Sequence, residues 1–229
     1  MRPLQRKDSF KDLFYLCAMK KTLFIGALVA AMMVAAACGK KAQPAPKSAL
    51  EVIKARTSVR SFTGEKLSEE QINTLLDAAM AAPTAANEQP WRFIVITDEE
   101  VKAGLYSGEV HKKMVVTAGA VIVVCGENTR LRRPHGAAPD AEPVREPNPY
   151  WYEDCSAATE NLLLAATALD LGAVWLSCYP IERSVNRIRT YLGIPETVTP
   201  LAIVPVGYPA ESPAPKNKWK PENIHYNKW

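Results

Sequence analysis

The chain has no GxGxxG and no GxxxxGK[ST], so it offers neither a dinucleotide fingerprint nor a P-loop. Histidine is scarce: His111, His135 and His225 lie far apart, with no HExxH and no CxxC, which removes the usual zinc patterns. GxSxG is missing as well, and no Ser, His and acid stand in an arrangement suited to acyl transfer. Five cysteines in 229 residues make no disulfide framework; Cys125, Cys155 and Cys178 sit among apolar or small residues and read as buried free thiols. Excess charge is absent from most of the chain. Residues 1–37 carry six Lys and Arg against Asp8 and Asp12, which accounts for the whole formal charge of +4, and from Cys38 onward 22 basic and 22 acidic residues cancel. That balance removes the electrostatic case for nucleic acid, whose non-specific binding needs a basic surface. What remains, 48% hydrophobic and 23% charged overall, is the composition of an ordinary globular protein, and the 192 residues from Cys38 are enough for one domain and short of two.

The N-terminal segment reads as an address. Met19, Lys20 and Lys21 precede an uncharged, mostly apolar run from Thr22 to Ala37, and then Cys38. This is the layout of a signal segment, and its sixteen apolar-run residues fall below the roughly 20 that cross a bilayer as a helix. Ala35-Ala36-Ala37-Cys38 resembles the lipobox of bacterial lipoproteins, with Ala35 in place of the usual branched residue. The resemblance implies export, removal of residues 1–37, lipidation of Cys38 and anchoring to a membrane, with Met19 as the true start of translation. Residues 38–47 are polar and rich in Pro and Ala, as a tether would be.

From residue 48 the patterning predicts a single domain, 48–229, in an α/β or α+β layer arrangement. Ser48 with Glu51 and Ser68 with Gln71 form capping boxes for two helices, the second running to about Ala81. RFIVIT (92–97) and AVIVVC (120–125) read as strands, with Asp98 capping a short helix between them. Five prolines and no periodicity make 126–149 a long surface excursion. Asp154 is placed as the cap of the longest helix, through Leu171, with Gly172 as its stop; ATENLLLAATAL is apolar nearly all round and needs cover on every side, from the core and a partner chain. GAVWLS, a helix 182–192 and LAIVPVG follow, with Pro205 placing the last strand at an edge or bulge. The polar, Pro-rich tail holds Trp219, Tyr226 and Trp229 and is expected to wrap over a surface.

With no evident acid, base, nucleophile or metal, an enzyme would need a cofactor that carries the chemistry. Arg56, Ser58 and Arg60 alternate, so in an extended backbone two guanidinium groups and a hydroxyl converge on one anion. In isolation this run is equally a solvated basic turn. APTAANEQPWRFIVI sets small residues, Asn87 and Gln89 in a loop between a helix end and a strand; taken alone it is equally a capped helix end anchored by Trp91.

In order along the chain, RTSVRSF, LLDAAMAAPTAANEQPWRFIVI, DCSAATENLLLAATALDLGAVWLSCYP, LGIP, LAIVPVGYPAE and KNKWKPENIHYNKW resemble the nitroreductase-like family of FMN-dependent oxidoreductases, over residues 48–229. The resemblance implies an α+β, three-layer fold with a central, mostly antiparallel sheet flanked by helices, and an intertwined homodimer with one FMN per interface. It implies that Arg56, Thr57, Ser58 and Arg60 contact the flavin, Arg56 at the phosphate and Arg60 at the phosphate or pyrimidine edge. Pro83, Thr84, Ala85 and Asn87 match a loop that reaches the flavin from the other subunit. Ser177 and Cys178 match the place where backbone amides approach the ring, with Cys178 where many relatives have Gly. Lys216 and Lys218 fall where a C-terminal cation meets the phosphate. The implied activity is two-electron reduction of an electron-poor aromatic, a nitroaromatic or quinone, by NAD(P)H or another donor. A reductive dehalogenase or oxidase of the same fold, and a non-catalytic ligand-binding lipoprotein, are the alternatives.

Overall fold

A computed structural model describes residues 47–229; the signal segment, Cys38 and all of the tether but Lys47 lie outside the described residues. Lys47 itself is tied down, its ammonium bonded to the Thr167 carbonyl and the Asp170 carboxylate. The described elements are, in order, α1 (Ala49–Ala55), α2 (Glu69–Met80), β1 (Trp91–Ile96), α3 (Glu99–Gly104), α4 (Glu109–Thr117), β2 (Ala120–Glu127), β3 (Thr129–Arg132), β4 (Val144–Pro147), α5 (Trp151–Ala168), β5 (Gly172–Ala173), β6 (Leu176–Ser177), α6 (Glu182–Leu192) and β7 (Val198–Gly207).

Strand order β1-β2-β7-β5, with β6 also on β7, makes one antiparallel sheet. β2 is apolar without alternation because both its faces are covered. Ala120, Ile122 and Val124 enter one core with Leu75 of α2 and Leu162 of α5. Val121, Val123 and Cys125 enter the other with Leu105, Val115 and Ile188, from the side of α3, α4 and α6. Helices on both faces give the three-layer α+β arrangement.

Both capping boxes form, with Ser48 and Ser68 bonding the Glu51 and Gln71 amides and receiving those side chains in return. The Asp98 carboxylate caps α3 through the Val101 amide, 2.9 Å away. Several local expectations are corrected. α5 starts three residues before Asp154, after Tyr150, and ends at Ala168; Asp170 takes the left-handed turn and Gly172 opens β5. GAVWLS is split into β5 and β6. β7 is central, with β2 on one side and β5 and β6 on the other. Pro205 fits there because it lies opposite the gap between β5 and β6, while the bulge falls at Leu201, between the pairs Val124↔Ala202 and Cys125↔Pro200. The 126–149 excursion contains a hairpin of β3 and β4, and α4 is a helix that the patterning did not pick out. The tail residues 213–218 do lie against residues 53–60, but Trp219, Tyr226 and Trp229 are exposed.

Gly172 is required by a close approach: a Cβ there would lie 2.6 Å from Val59 Cγ1, and Val59 is buried with its backbone bonded to Ala173 of β5. Gly172→Ala should therefore cost about 1–3 kcal/mol by overpacking. Urea unfolding measures this; an unchanged midpoint would contradict it.

Candidate active site

α1 stops at Ala55 because Arg56 turns to an extended conformation. The following residues run beside the sheet: Val59 N–H donates to Ala173 O at 3.0 Å, and Ser58 forms a parallel bridge with Ala173. After β7 the chain returns along the same segment, with Ala210 N–H bonded to Ser61 O at 2.9 Å and the Glu211 carboxylate accepting the Arg60 amide. The two antiparallel passes put residues 53–60 across from 213–218.

Between them lies a cavity of about 810 Å³, lined by Arg56, Thr57, Ser58, Arg60, Lys216 and Lys218, together with Lys54, Asn217 and four apolar residues. That volume lies within the range of small-molecule sites. Five of its lining residues are cationic and none is acidic. Arg56 Nε lies 3.4 Å from Glu160 on α5, which leaves both terminal nitrogens of the guanidinium without a hydrogen-bond partner among the described residues. A lining of five cations and no acid suits a phosphate monoester, which supplies both the counter-charge and the acceptor oxygens. Six of the twelve expected ligand-contacting residues thus meet at one cavity.

The loop 83–89 is not part of that lining. It closes with a single 3-10 turn, Ala85–Asn87, in which Ala86 and Asn87 have φ of 52° and 58°, and Gln89 follows at 49°. Left-handed backbone costs a non-glycine residue roughly 1–2 kcal/mol, so three such residues in four need external support. Thr84 Oγ1 accepts from Gln89 N at 3.2 Å, and Asn87 Oδ1 accepts from Gln89 Nε2 at 2.9 Å. The Glu88 carboxylate pairs with Arg130 of β3 at 2.8 Å, and Arg130 also holds Glu146 of β4 at 2.9 Å, so the hairpin braces the loop. From beneath, Ala85 N–H donates to Asp154 Oδ1 at 3.0 Å. Asp154 is therefore a ligand of the loop rather than a helix cap. Burial pushes its carboxyl above the ordinary value, against the Ala85 amide that lowers it, and Glu88 and Glu153 push the same way as burial. The sequence signal was available: Asp154 occupies the same buried stripe of α5 as Ala158 and Leu162, where an acid has to have a partner.

At the end of β6 the structure separates two neighbours. Ser177 is exposed, whereas Cys178 is fully buried and its amide donates to Leu201 O at 2.8 Å. The bulge at Leu201 explains this, because its carbonyl also accepts from Tyr179 at 3.2 Å. The Cys178 N–H is thus already engaged, and Ser177 is the member of the pair open to solvent. Burial pushes the Cys178 thiol up to about 11, and Cys125 and Cys155 up to about 12. Tyr179 packs edge-on against Trp151 of α5, centroids 4.9 Å apart.

A sequence profile of the Nitroreductase family matches residues 53–208. A protein of Methanothermobacter thermautotrophicus, provisionally named NADH dehydrogenase/NAD(P)H nitroreductase, is 39% identical over 180 residues, which is 79% of this chain and 87% of the relative. A crystal structure from Bacteroides thetaiotaomicron under the same provisional name is 36% identical and superposes with a TM-score of 0.69 over 80% of this chain and 99% of that one. A provisionally named nitroreductase of Desulfovibrio desulfuricans, solved in complex with FMN, is 26% identical with a TM-score of 0.62 over 80% and 98% of the two chains.

The thiol environments give a direct check. At pH 8 the three buried cysteines hold on the order of a thousandth or less of their sulfur as thiolate, and none is accessible. A protein of residues 47–229 should show no thiol reactive toward a disulfide reagent when native and three in urea. Rapid native labelling of Cys178 would contradict its placement.

Proposed function

The chain belongs to the nitroreductase family, and from that premise we propose that it is an FMN-dependent oxidoreductase that passes two electrons from NAD(P)H or another donor to a flat, electron-poor aromatic such as a nitroaromatic or quinone. One observation carries the cofactor assignment: the acid-free, five-cation cavity between residues 53–60 and 213–218, where a phosphate would find its counter-charges. Bound there, FMN supplies the capacity to take up two electrons from one partner and release them to another, which the side chains of this chain do not provide.

The protein's part is to bind, orient and polarise. Glu160 pairs with Arg56 at Nε, so the terminal nitrogens would be left to hold phosphate oxygens as a fork. Lys216 and Lys218 add point charges without that geometry. Arg60 would add charge at the phosphate or at the pyrimidine edge, and at that edge it would favour the anionic reduced ring by direct charge attraction. Ser177 and the loop 83–87 serve the ring end. That loop lies outside the phosphate cavity of its own chain, which supports a homodimer in which it serves the partner's flavin. Exposed Leu50, Ile53, Trp219 and Tyr226 support the same assembly, since large apolar side chains in numbers mark a surface to be covered.

The signal-like run to Ala37 and Cys38 supports export and lipid anchoring on a bacterial membrane. Nicotinamide cofactors are cytoplasmic, so an exported enzyme would draw its electrons from another donor.

Arg56→Ala with Lys218→Ala removes two charge-assisted bonds of about 1.5–3 kcal/mol each, which predicts at least about 100-fold weaker FMN binding in a fluorescence titration. Unchanged occupancy would contradict the phosphate assignment. Cys38→Ser should move the protein from the membrane to the soluble fraction; continued membrane association would contradict lipidation.

A further inference from the structure

Asp154 presents an unusual combination. It is 6% exposed, one carboxylate oxygen accepts the Ala85 amide, and the other, Oδ2, is buried with no hydrogen-bond partner among the described residues. A half-satisfied buried carboxylate is destabilising, and an apolar or amide side chain would fill the same place at lower cost. What it touches is the residue immediately before the two consecutive left-handed residues Ala86 and Asn87. A backbone amide fixed by an ionised acceptor is held more strongly than by a neutral one.

We propose that Asp154 is a positioning residue of the flavin site, whose charge is retained at a cost in stability to hold the loop 84–89 in the strained conformation that meets the ring. The proposal rests on the flavin reading given above. It adds that the loop is set from two sides, by Asp154 beneath Ala85 and by Arg130 beside Glu88. Strain stored at a ligand-contacting loop needs such fixed points, because the relaxed loop would otherwise dominate the population.

The charge makes a signed prediction. Burial raises the Asp154 carboxyl, so relative to a side chain that does not titrate, the native state loses stability as pH rises from the ordinary carboxylate range through the raised value. The charged groups facing it are Glu153 on its own helix and Glu88 on the loop, which raise it further, while Arg130 is tied to Glu88 and Glu146, and Arg92 to Glu127. Asp154→Asn removes the charge and keeps an acceptor oxygen for Ala85. Its melting temperature should exceed that of the natural chain at pH 7, with the gap closing toward pH 4. FMN affinity should move the other way, about tenfold weaker in Asp154→Asn, with faster hydrogen exchange at residues 85–89 in the cofactor-free protein.

Those opposite signs separate positioning from simple scaffolding. The experiment is a comparison of the natural chain with Asp154→Asn, by melting at pH 4 and 7, FMN titration, and hydrogen exchange resolved to the loop. Higher stability with weaker FMN binding and faster loop exchange supports the proposal. Stability and FMN affinity falling together, or loop exchange left unchanged, overturns it. If the natural chain itself binds no FMN, the flavin reading and the proposed role at the ring both fall, while the exchange comparison still tells whether Asp154 fixes the loop.

Discussion

One buried helix carries the design. α5 lies under the sheet with Trp151, Asp154, Cys155, Ala158, Thr159, Leu162, Leu163 and Ala166 all buried, packed on α2 and on both central strands β2 and β7. Two turns of it carry the attachments of the candidate site. Trp151 packs against Tyr179 just beyond β6, Asp154 accepts the Ala85 amide of the loop, and Glu160 pairs with Arg56. The rise of 1.5 Å per residue fixes the spacing of those three attachments, so the geometry of the site is tied to a helix packed into the core. Gly126 belongs to the same arrangement, since a Cβ there would lie 2.6 Å from the Trp151 ring and push the helix away from β2.

The cation-lined cavity and the loop concentrate two different kinds of unfavourable free energy. Around the cavity it is like charge: five cationic residues converge with no acid in the lining, and Glu160 answers only one nitrogen of Arg56. At the loop it is backbone strain and a buried carboxylate with one free oxygen. Neither helps the fold, and an anionic, planar ligand would supply the counter-charge that the cavity lacks. Functional sites are where natural proteins accept such costs, and here they coincide with the segments that the family resemblance singles out.

Much of the fold was legible because it rests on local rules. The two capping boxes, the Asp98 cap, the apolar β2 and the helix 182–192 all follow from residue type and spacing, and each is found in place. What failed was decided by tertiary contacts. Asp154 looked like a cap because acids favour helix starts, but its carboxylate is drawn to Ala85, 69 residues away in sequence. Pro205 argued against a central strand, yet the interruption between β5 and β6 removes the need for its missing N–H. The hairpin inside 126–149 was hidden by its prolines, and its anchor, Arg130 between Glu88 and Glu146, cannot be read from periodicity. For the site, the alternation of Arg56, Ser58 and Arg60 points to residues that do line one cavity, though Thr57 between them lines it too, and their meeting with Lys216 and Lys218 depends on the return pass through Ala210 and Glu211.

The claim on which the functional account turns is that FMN sits with its phosphate among these cations and its ring against a loop from a second copy. A crystal structure of the chain saturated with FMN decides it most directly. Phosphate oxygens are expected within hydrogen-bond distance of Arg56 and Lys218, and residues 84–87 of the partner subunit at the ring. A flavin whose phosphate lies elsewhere, or a site completed by the loop of the same chain, would contradict it.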